Sequence, residues 1–345
     1  MKKYNVGIIG YGWASQAHIA AVNATPQAQV TALYSSRPQD SAQISARHGG
    51  QIACYTDLNA MLSDPSLQIV SVCSYPDQHA DHIVAAAQAG KHVIIEKPIT
   101  LSLPDARRVA QAIDAARVRA CVCFEGRFSS QLAVTKAVIE QGLLGKLHYG
   151  EADYYHGIGP WYGQYRWNTT TESGGSSLLS AGCHAVNALM LCLGPDVESV
   201  TSMTTVSANE IFAQYRYPTT SVSLLRFSNG ALGKVASVID CLQPYYFHIH
   251  LVGSEGSLLD NKFHSTRLGV DKHRWSELSM KLVDSGDVSD HPYQAQFQAF
   301  FAALERDEDM PLTSFKESMK SHIVVLAADL SARENRTVKL SEFHE

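Results

Sequence analysis

The feature that most narrows the folds open to this chain lies in its first fifteen residues. An apolar strand, Tyr4-Asn5-Val6-Gly7-Ile8-Ile9, runs directly into Gly10-Tyr11-Gly12-Trp13-Ala14-Ser15, and a helix follows through about Val22. Strand, glycine turn and helix in this order form the dinucleotide-binding fingerprint, with Ser15 at the place of the third glycine. Gly10 permits the tight turn, and Gly12 lets a pyrophosphate approach the backbone at the helix N-terminus. Gly10, Gly12, Trp13 and Ala14 are therefore candidate cofactor contacts.

The βα pattern continues. Gln29–Tyr34 is a second strand ending in Ser35-Ser36-Arg37. An NAD-selective site carries Asp or Glu near this point to hold the ribose 2′-hydroxyl. Here Ser36 and Arg37 suit a 2′-phosphate instead, which tilts the expectation within NAD(P) slightly towards NADP; alternatively Arg37 points to solvent and either cofactor is taken. Ile69–Cys73 is a strand, Ser74-Tyr75-Pro76-Asp77-Gln78-His79 its exit loop, and a helix through Ala89 closes at Gly90. Val93-Ile94-Ile95 is a short buried strand that ends in Glu96-Lys97-Pro98. Charged groups at the carboxyl end of a parallel strand lie where open α/β sheets bind ligands, and Pro98 restricts the backbone of Lys97. A surface ion pair at a strand end is the plainer reading of the same residues. A helix from Leu101 to about Ala116 and a strand Ala120–Phe124 complete a doubly wound parallel sheet over residues 1–125.

Residues 126–345 read differently. After a helix from Gln131 to Gln141 come β-rich runs at Leu147–Tyr155, Val197–Ser207, Ile211–Tyr217, Ser221–Phe227, Gly233–Asp240 and Phe247–Val252. With late helices at Tyr293–Glu305 and Phe315–Arg333 they predict an α+β domain on an open, largely antiparallel sheet. One helix, Ser177 to Leu193, is apolar nearly all round, yet Ser180, His184 and Asn187 fall at i, i+4 and i+7. A hydrogen-bonded core histidine and a functional one both fit that stripe. Upstream, Tyr154 to Trp167 is rich in aromatic rings and carries Arg166, which suits stacking on sugar faces or, equally, a subunit interface.

A net charge of −5 gives no reason to expect nucleic acid or an anionic membrane as partner. The seven cysteines lack zinc-type spacing, so no metal site is expected, and they read as reduced core residues of a cytoplasmic protein. Glycines at 7, 10 and 12 interrupt what could pass for a signal peptide, and no stretch is expected to approach the ~20 apolar residues of a membrane span.

Taken together, Gly10-Tyr11-Gly12, Ser74 through His79, Ala89-Gly90-Lys91-His92-Val93, Glu96-Lys97-Pro98 followed by Ser102, and Gly174-Gly175 leading to Gly182-Cys183-His184 resemble the Gfo/Idh/MocA oxidoreductases over essentially the whole chain. The resemblance implies a Rossmann domain, a nicotinamide cofactor, a sugar or cyclitol substrate, a cis Lys97–Pro98 peptide, and a homodimer or homotetramer formed through the C-terminal sheet. It adds Ser74, Tyr75, His79, Glu96 and Lys97 to the cofactor contacts. Lys97 would contact the reacting hydroxyl and His184 would serve as general acid/base. Arg127, Tyr154, Trp161, Tyr165, Arg166, Trp167 and Ser180 join Lys97 and His184 as substrate contacts. Ser180 and Asn187 stand where the family often has Asp, so Glu172, Tyr154, Tyr155 and Tyr165 are candidates to replace the lost carboxylate, with Tyr155 placed among the catalytic groups. Two other activities fit the same resemblance: glycoside hydrolysis by transient oxidation at C3, and a cofactor-binding sugar sensor without turnover.

Overall fold

A computed structural model describes residues 3–269, 271, 273–282, 284 and 290–343. The chain separates into two units, one comprising Met1–Glu125 and Pro292–Ser318, the other Gly126–His291 and Met319–Glu345.

The first unit holds β1 (Tyr4–Ile9), α1 (Trp13–Asn23), β2 (Ala28–Tyr34), α2 (Ser41–His48), β3 (Ala53–Tyr55), α3 (Leu58–Leu62), β4 (Ile69–Val72), α4 (Pro76–Gln88), β5 (His92–Ile95), α5 (Leu103–Ala116) and β6 (Ala120–Val122). Its six strands are parallel in the order β3-β2-β1-β4-β5-β6. The order reverses between β1 and β4, and ligands bind outside the carboxyl ends of strands at such a reversal. Ile8, Ile9, Ile69, Val93, Ile94 and Ile95 are fully buried, as strands covered on both faces require.

The second unit opens with α6 (Ser130–Glu140), β7 (Leu147–Tyr155), α7 (Tyr165–Asn168), α8 (Thr171–Gly174), α9 (Cys183–Leu193), β8 (Val197–Thr205), β9 (Thr220–Phe227) and β10 (Leu232–Val238). It continues through β11 (Tyr246–Gly253), β12 (Gly256–Leu259), β13 (Lys262–Ser265) and β14 (Ser276–Glu277). After α10 (Tyr293–Glu305) and α11 (Phe315–Glu334) come β15 (Val338–Lys339) and a 3-10 turn at Leu340–Phe343. The sheet order is β14-β13-β12-β11-β7-β10-β9-β8-β15, antiparallel except for the parallel pair β7 and β10.

Three expectations are corrected here. Residues 292–318, expected in the second domain, belong to the first unit. Phe297, Phe300 and Phe301 of α10 are buried there, with Phe301 against Tyr4 and Phe297 against His18. The Gln296 amide donates to the Val122 carbonyl at 2.7 Å. Ile211–Tyr217 is no strand: Asn209 caps a single 3-10 turn at Glu210–Phe212, and the hydroxyls of Tyr215 and Tyr217 donate to backbone carbonyls of Ile158 and Asn168. Its alternating aromatics fill a packed loop rather than a pleat. Finally, Thr171–Leu193 is long and apolar enough to cross a membrane by length and composition, but 83% of its most apolar window is buried inside the protein, as in a core helix.

Candidate active site

Gly10 and Gly12 play different parts at the end of β1. Gly10 has φ +93°, and a Cβ there would meet the Cys73 carbonyl oxygen at 2.8 Å and the Ser74 nitrogen at 2.9 Å. Backbone conformation and the neighbouring strand end both exclude a side chain. Gly12 is the N-cap of α1, and nothing lies within 4 Å of where its Cβ would be. No side chain caps the helix, so its first N–H groups are open to an anion. Ser15 is buried and turns its hydroxyl back onto the Gly12 carbonyl at 2.8 Å, keeping the cradle clear.

A pocket of about 380 Å³ opens beside these glycines. Gly10, Gly12, Ser36, Arg37, Ser74 and Tyr75, all expected cofactor contacts, line it. Trp13 and Ala14 stand in the first turn of α1, both partly exposed. Tyr11, Tyr34, Asp81 and His82 also line the pocket and were not read from the sequence. The one available signal was that Gln78, Asp81 and His82 share a face of α4 at helical spacing. The residues fit a dinucleotide: open glycine backbone, an uncapped helix and hydroxyls at the end of β2.

His79 and Glu96, expected among the cofactor contacts, are both buried and hydrogen-bonded within the protein. His79 is buried, with Nδ1 at 2.7 Å from the Pro98 carbonyl and Nε2 at 3.1 Å from that of Ser74, so it ties one pocket loop to the segment beyond Lys97. Burial lowers its pKa, against the two carbonyl contacts that raise it. Glu96 Oε1 lies 2.8 Å from His18 Nε2 and accepts from the Tyr293 hydroxyl at 2.7 Å, while Oε2 accepts from the Lys97 backbone N–H at 3.0 Å. Burial would raise the Glu96 pKa, but the hydrogen bond and charge of His18, with Lys97 beyond, hold it at about 2. Burial likewise opposes charge on His18, yet Cys73 and Glu96 push it up to about 10. Glu125, buried and within reach of the Glu96 charge, is pushed up to about 8. Lys97 is partly exposed at the end of β5, and its peptide bond to Pro98 is cis.

In the second unit, a π-helical segment at Leu178–Gly182 leads into α9. A Cβ on Gly182 would lie 2.4 Å from that of Ser237, so glycine lets this segment rest directly on β10. From Ser177 to Met190 every residue is buried except His184. Its ring is stacked on that of Tyr154, with centroids 6.3 Å apart and planes 15° apart. The Tyr154 hydroxyl lies 3.2 Å from His156 Nδ1, and Tyr162 and Tyr245 pack edge-on against His156 at 4.9 and 5.4 Å. An imidazole stacked on a tyrosine is thus partly exposed on a helix that is otherwise buried from Ser177 to Met190.

Other expected substrate contacts separate. Side chains alternate along β7, and Gly150 faces Leu189 and Leu193 of α9, so Ala152 and Tyr154 face the helix and Tyr155 does not. Tyr155 lies on the opposite face, donating to Asp153 and stacking on Tyr246, and is withdrawn as a catalytic candidate. Arg127 is buried and donates to the Asn187 carbonyl at 2.8 Å, while the Asn187 amide donates to Ser321, so both residues brace α9. Tyr165 is buried, its hydroxyl bonded to the Ile211 carbonyl. Ser180 is buried in the π-helical segment. Trp161 and Arg166 are exposed, Trp167 is partly so, and Glu172 is exposed on α8.

Among the described residues, two sets of side chains that could ligate a metal converge, His18–Glu96–Cys123 and Glu151–Asp153–His248. Protein partners already account for both: the first contains the His18–Glu96 pair, and Lys234 Nζ sits 2.6 Å from Asp153 and 3.0 Å from Glu151 in the second.

Residues 4–124 match the family model described as the oxidoreductase family with an NAD-binding Rossmann fold (GFO/IDH/MocA), and residues 132–259 match the GFO/IDH/MocA C-terminal domain. The chain is 26% identical over 337 residues to myo-inositol 2-dehydrogenase of Thermotoga maritima, covering 98% of each. It is 24% identical to the NAD-dependent scyllo-inositol 2-dehydrogenase of Bacillus subtilis, over 81% of this chain and 80% of that one. Among solved structures, levoglucosan dehydrogenase in complex with NADH and levoglucosan shares the fold at a TM-score of 0.85 and 20% identity, over 98% of this chain and 99% of that one.

Proposed function

The chain belongs to the GFO/IDH/MocA oxidoreductase family, and from this membership we propose that it moves a hydride reversibly between a nicotinamide dinucleotide and a ring carbon bearing a secondary hydroxyl of a sugar or cyclitol. Gly10, Gly12, Ser74 and Tyr75 would hold the cofactor, which when bound supplies the hydride acceptor. Lys97 donates a hydrogen bond to the reacting hydroxyl oxygen and favours its developing negative charge. His184 takes the hydroxyl proton, and returns it when a ketone is reduced. Because Ser180 offers no carboxylate to the imidazolium, the π face of Tyr154 supplies part of that stabilisation. The observation that carries the reading is the partly exposed imidazole of His184 on a largely buried helix, in a chain whose other unit carries the dinucleotide cradle.

Three finer points belong to the same proposal. The cofactor preference leans to NADP, because Ser36 and Arg37 line the pocket and no salt bridge engages Arg37 among the described residues. Copies of the chain pair through the sheet face opposite α9, which exposes Met203 at 75%, Leu224 at 60%, Leu232 at 45% and Val222 at 41%. The protein works in the cytoplasm, in keeping with cysteines that form no disulfide among the described residues. The test is a panel of cyclitols, monosaccharides and glycosides run with NAD and with NADP, following reduced cofactor and released aglycone together. Reduced cofactor accumulating with a polyol supports the proposal. Aglycone release without it would indicate redox-assisted hydrolysis, and tight binding without turnover a sensor.

A further inference from the structure

Directly behind Lys97 the first unit buries a pair of ionisable groups that hydride transfer does not use. His18 is fully buried and Glu96 is 6% exposed. Neither ring nitrogen of His18 is idle: Nε2 meets Glu96 at 2.8 Å, and Nδ1 lies 2.7 Å from the Ser71 hydroxyl and 3.3 Å from the Cys73 sulfur. Three donors converge on the Glu96 carboxylate, from α1, from α10 and from the Lys97 backbone itself. Burying such a pair is a poor way to gain stability, because desolvation cancels most of the attraction and apolar side chains would fill the space as well. What the pair does achieve is positional: it ties the last peptide of β5 to two helices at the residue before Lys97.

We propose that His18 is a positioning residue for Lys97, keeping Glu96 ionised so that its carboxylate fixes the Lys97 backbone, with Tyr293 as the second anchor. The proposal rests on the dehydrogenase reading for its catalytic consequence, though not for its structural one. The groups facing the pair are Ser71 and Cys73 at the end of β4, His79 on α4, Lys97, Cys123 and Glu125 at the end of β6, and Tyr293 on α10. Among them His18 and Lys97 carry the positive charge that opposes burial of the carboxylate. Without the imidazolium, burial leaves Glu96 protonating at higher pH. A protonated Glu96 is a weaker acceptor for the Lys97 N–H.

The experiment compares wild type, His18→Gln and Tyr293→Phe as full-length protein. Each is checked for native circular dichroism and NADH affinity, then followed for kcat, KM and their pH profiles. Lys97 reactivity is read separately, as the rate of labelling by pyridoxal phosphate with borohydride trapping and peptide mass spectrometry. In His18→Gln, kcat falls about 10- to 100-fold at unchanged cofactor affinity, the loss of one charge-assisted hydrogen bond. The acidic limb of its kcat profile moves up by about one pH unit. Lys97 labelling changes by about threefold or more. Tyr293→Phe moves all three in the same direction by less. Unchanged kcat profile and labelling in a folded His18→Gln would overturn the proposal, as would a loss confined to cofactor KM. If His18→Gln does not fold, Tyr293→Phe decides alone, and an unshifted acid limb and labelling rate there would overturn it. If wild type turns over no polyol, the dehydrogenase reading fails on its own and the labelling result still decides the role of His18.

Discussion

The imidazole of His184 is stacked nearly parallel on the ring of Tyr154, 6.3 Å between centroids and 15° between planes, and is partly exposed where its helix is otherwise buried from Ser177 to Met190. Tyr154→Phe keeps that face and removes only the hydroxyl that meets His156. Turnover should stay within about threefold of wild type, whereas Tyr154→Leu, which removes the π face, should lower kcat about tenfold. Steady-state kinetics at neutral pH checks this. If Phe is as damaging as Leu, the hydroxyl and not the ring supports His184.

Arg37 offers a guanidinium at the pocket wall where NAD-selective sites carry an acid. Arg37→Ala should weaken NADP binding about tenfold or more and NAD binding by less than about twofold. Fluorescence titration with both reduced cofactors measures it. Equal losses would place the ribose phosphate elsewhere.

The buried Glu125 sets a pH dependence of stability whose sign can be worked out. Its folded-state pKa is raised to about 8, mainly by burial and then by the charge of Glu96. A raised acid favours the folded state below its unfolded pKa of about 4.3, and that contribution is lost as pH rises towards the folded value. Glu125→Gln should therefore raise Tm at pH 8 to 9 by several degrees, on the order of 5 °C, and change it little near pH 4. Thermal unfolding across pH checks it. A larger gain at the acidic end would show that Glu125 is ionised in the native protein.

Leu224 is 60% exposed in the middle of the uncovered sheet face. An apolar face of this kind is characteristic of an interface core, and a charge there is strongly disfavoured. Leu224→Glu should shift the mass seen by light scattering from an oligomer to a monomer. An unchanged mass, or a monomeric wild type, would remove this face as the interface.

The fold was largely legible because its signals are local. Leu147–Tyr155 and Tyr293–Glu305 stand at the boundaries their own patterns gave, and the glycine turn and the end of β5 announced a parallel sheet. What was not legible depends on long-range partners. That α10 returns to the first unit is decided by Phe297 and Phe301 finding His18 and Tyr4, far away in sequence. Tyr154 and Tyr155 are chemically alike, and only the side of β7 on which α9 packs decides which of them reaches His184. The stripe of Ser180, His184 and Asn187 assumed uninterrupted α-helix. The π-helical segment through Gly182 breaks that spacing, so the stripe comes apart into a buried hydroxyl, a partly exposed imidazole and a buried brace.

The measurement that bears most directly on the proposed chemistry is a single-turnover reaction with a cyclitol deuterated at its ring carbons, for wild type, His184→Gln and Lys97→Met. In wild type, reduced cofactor should form with one deuterium per molecule by mass spectrometry. Both variants should bind cofactor normally and form it about 10²- to 10⁴-fold more slowly. Wild-type turnover that leaves the cofactor free of deuterium, or variants as fast as wild type, would contradict hydride transfer assisted by these two residues.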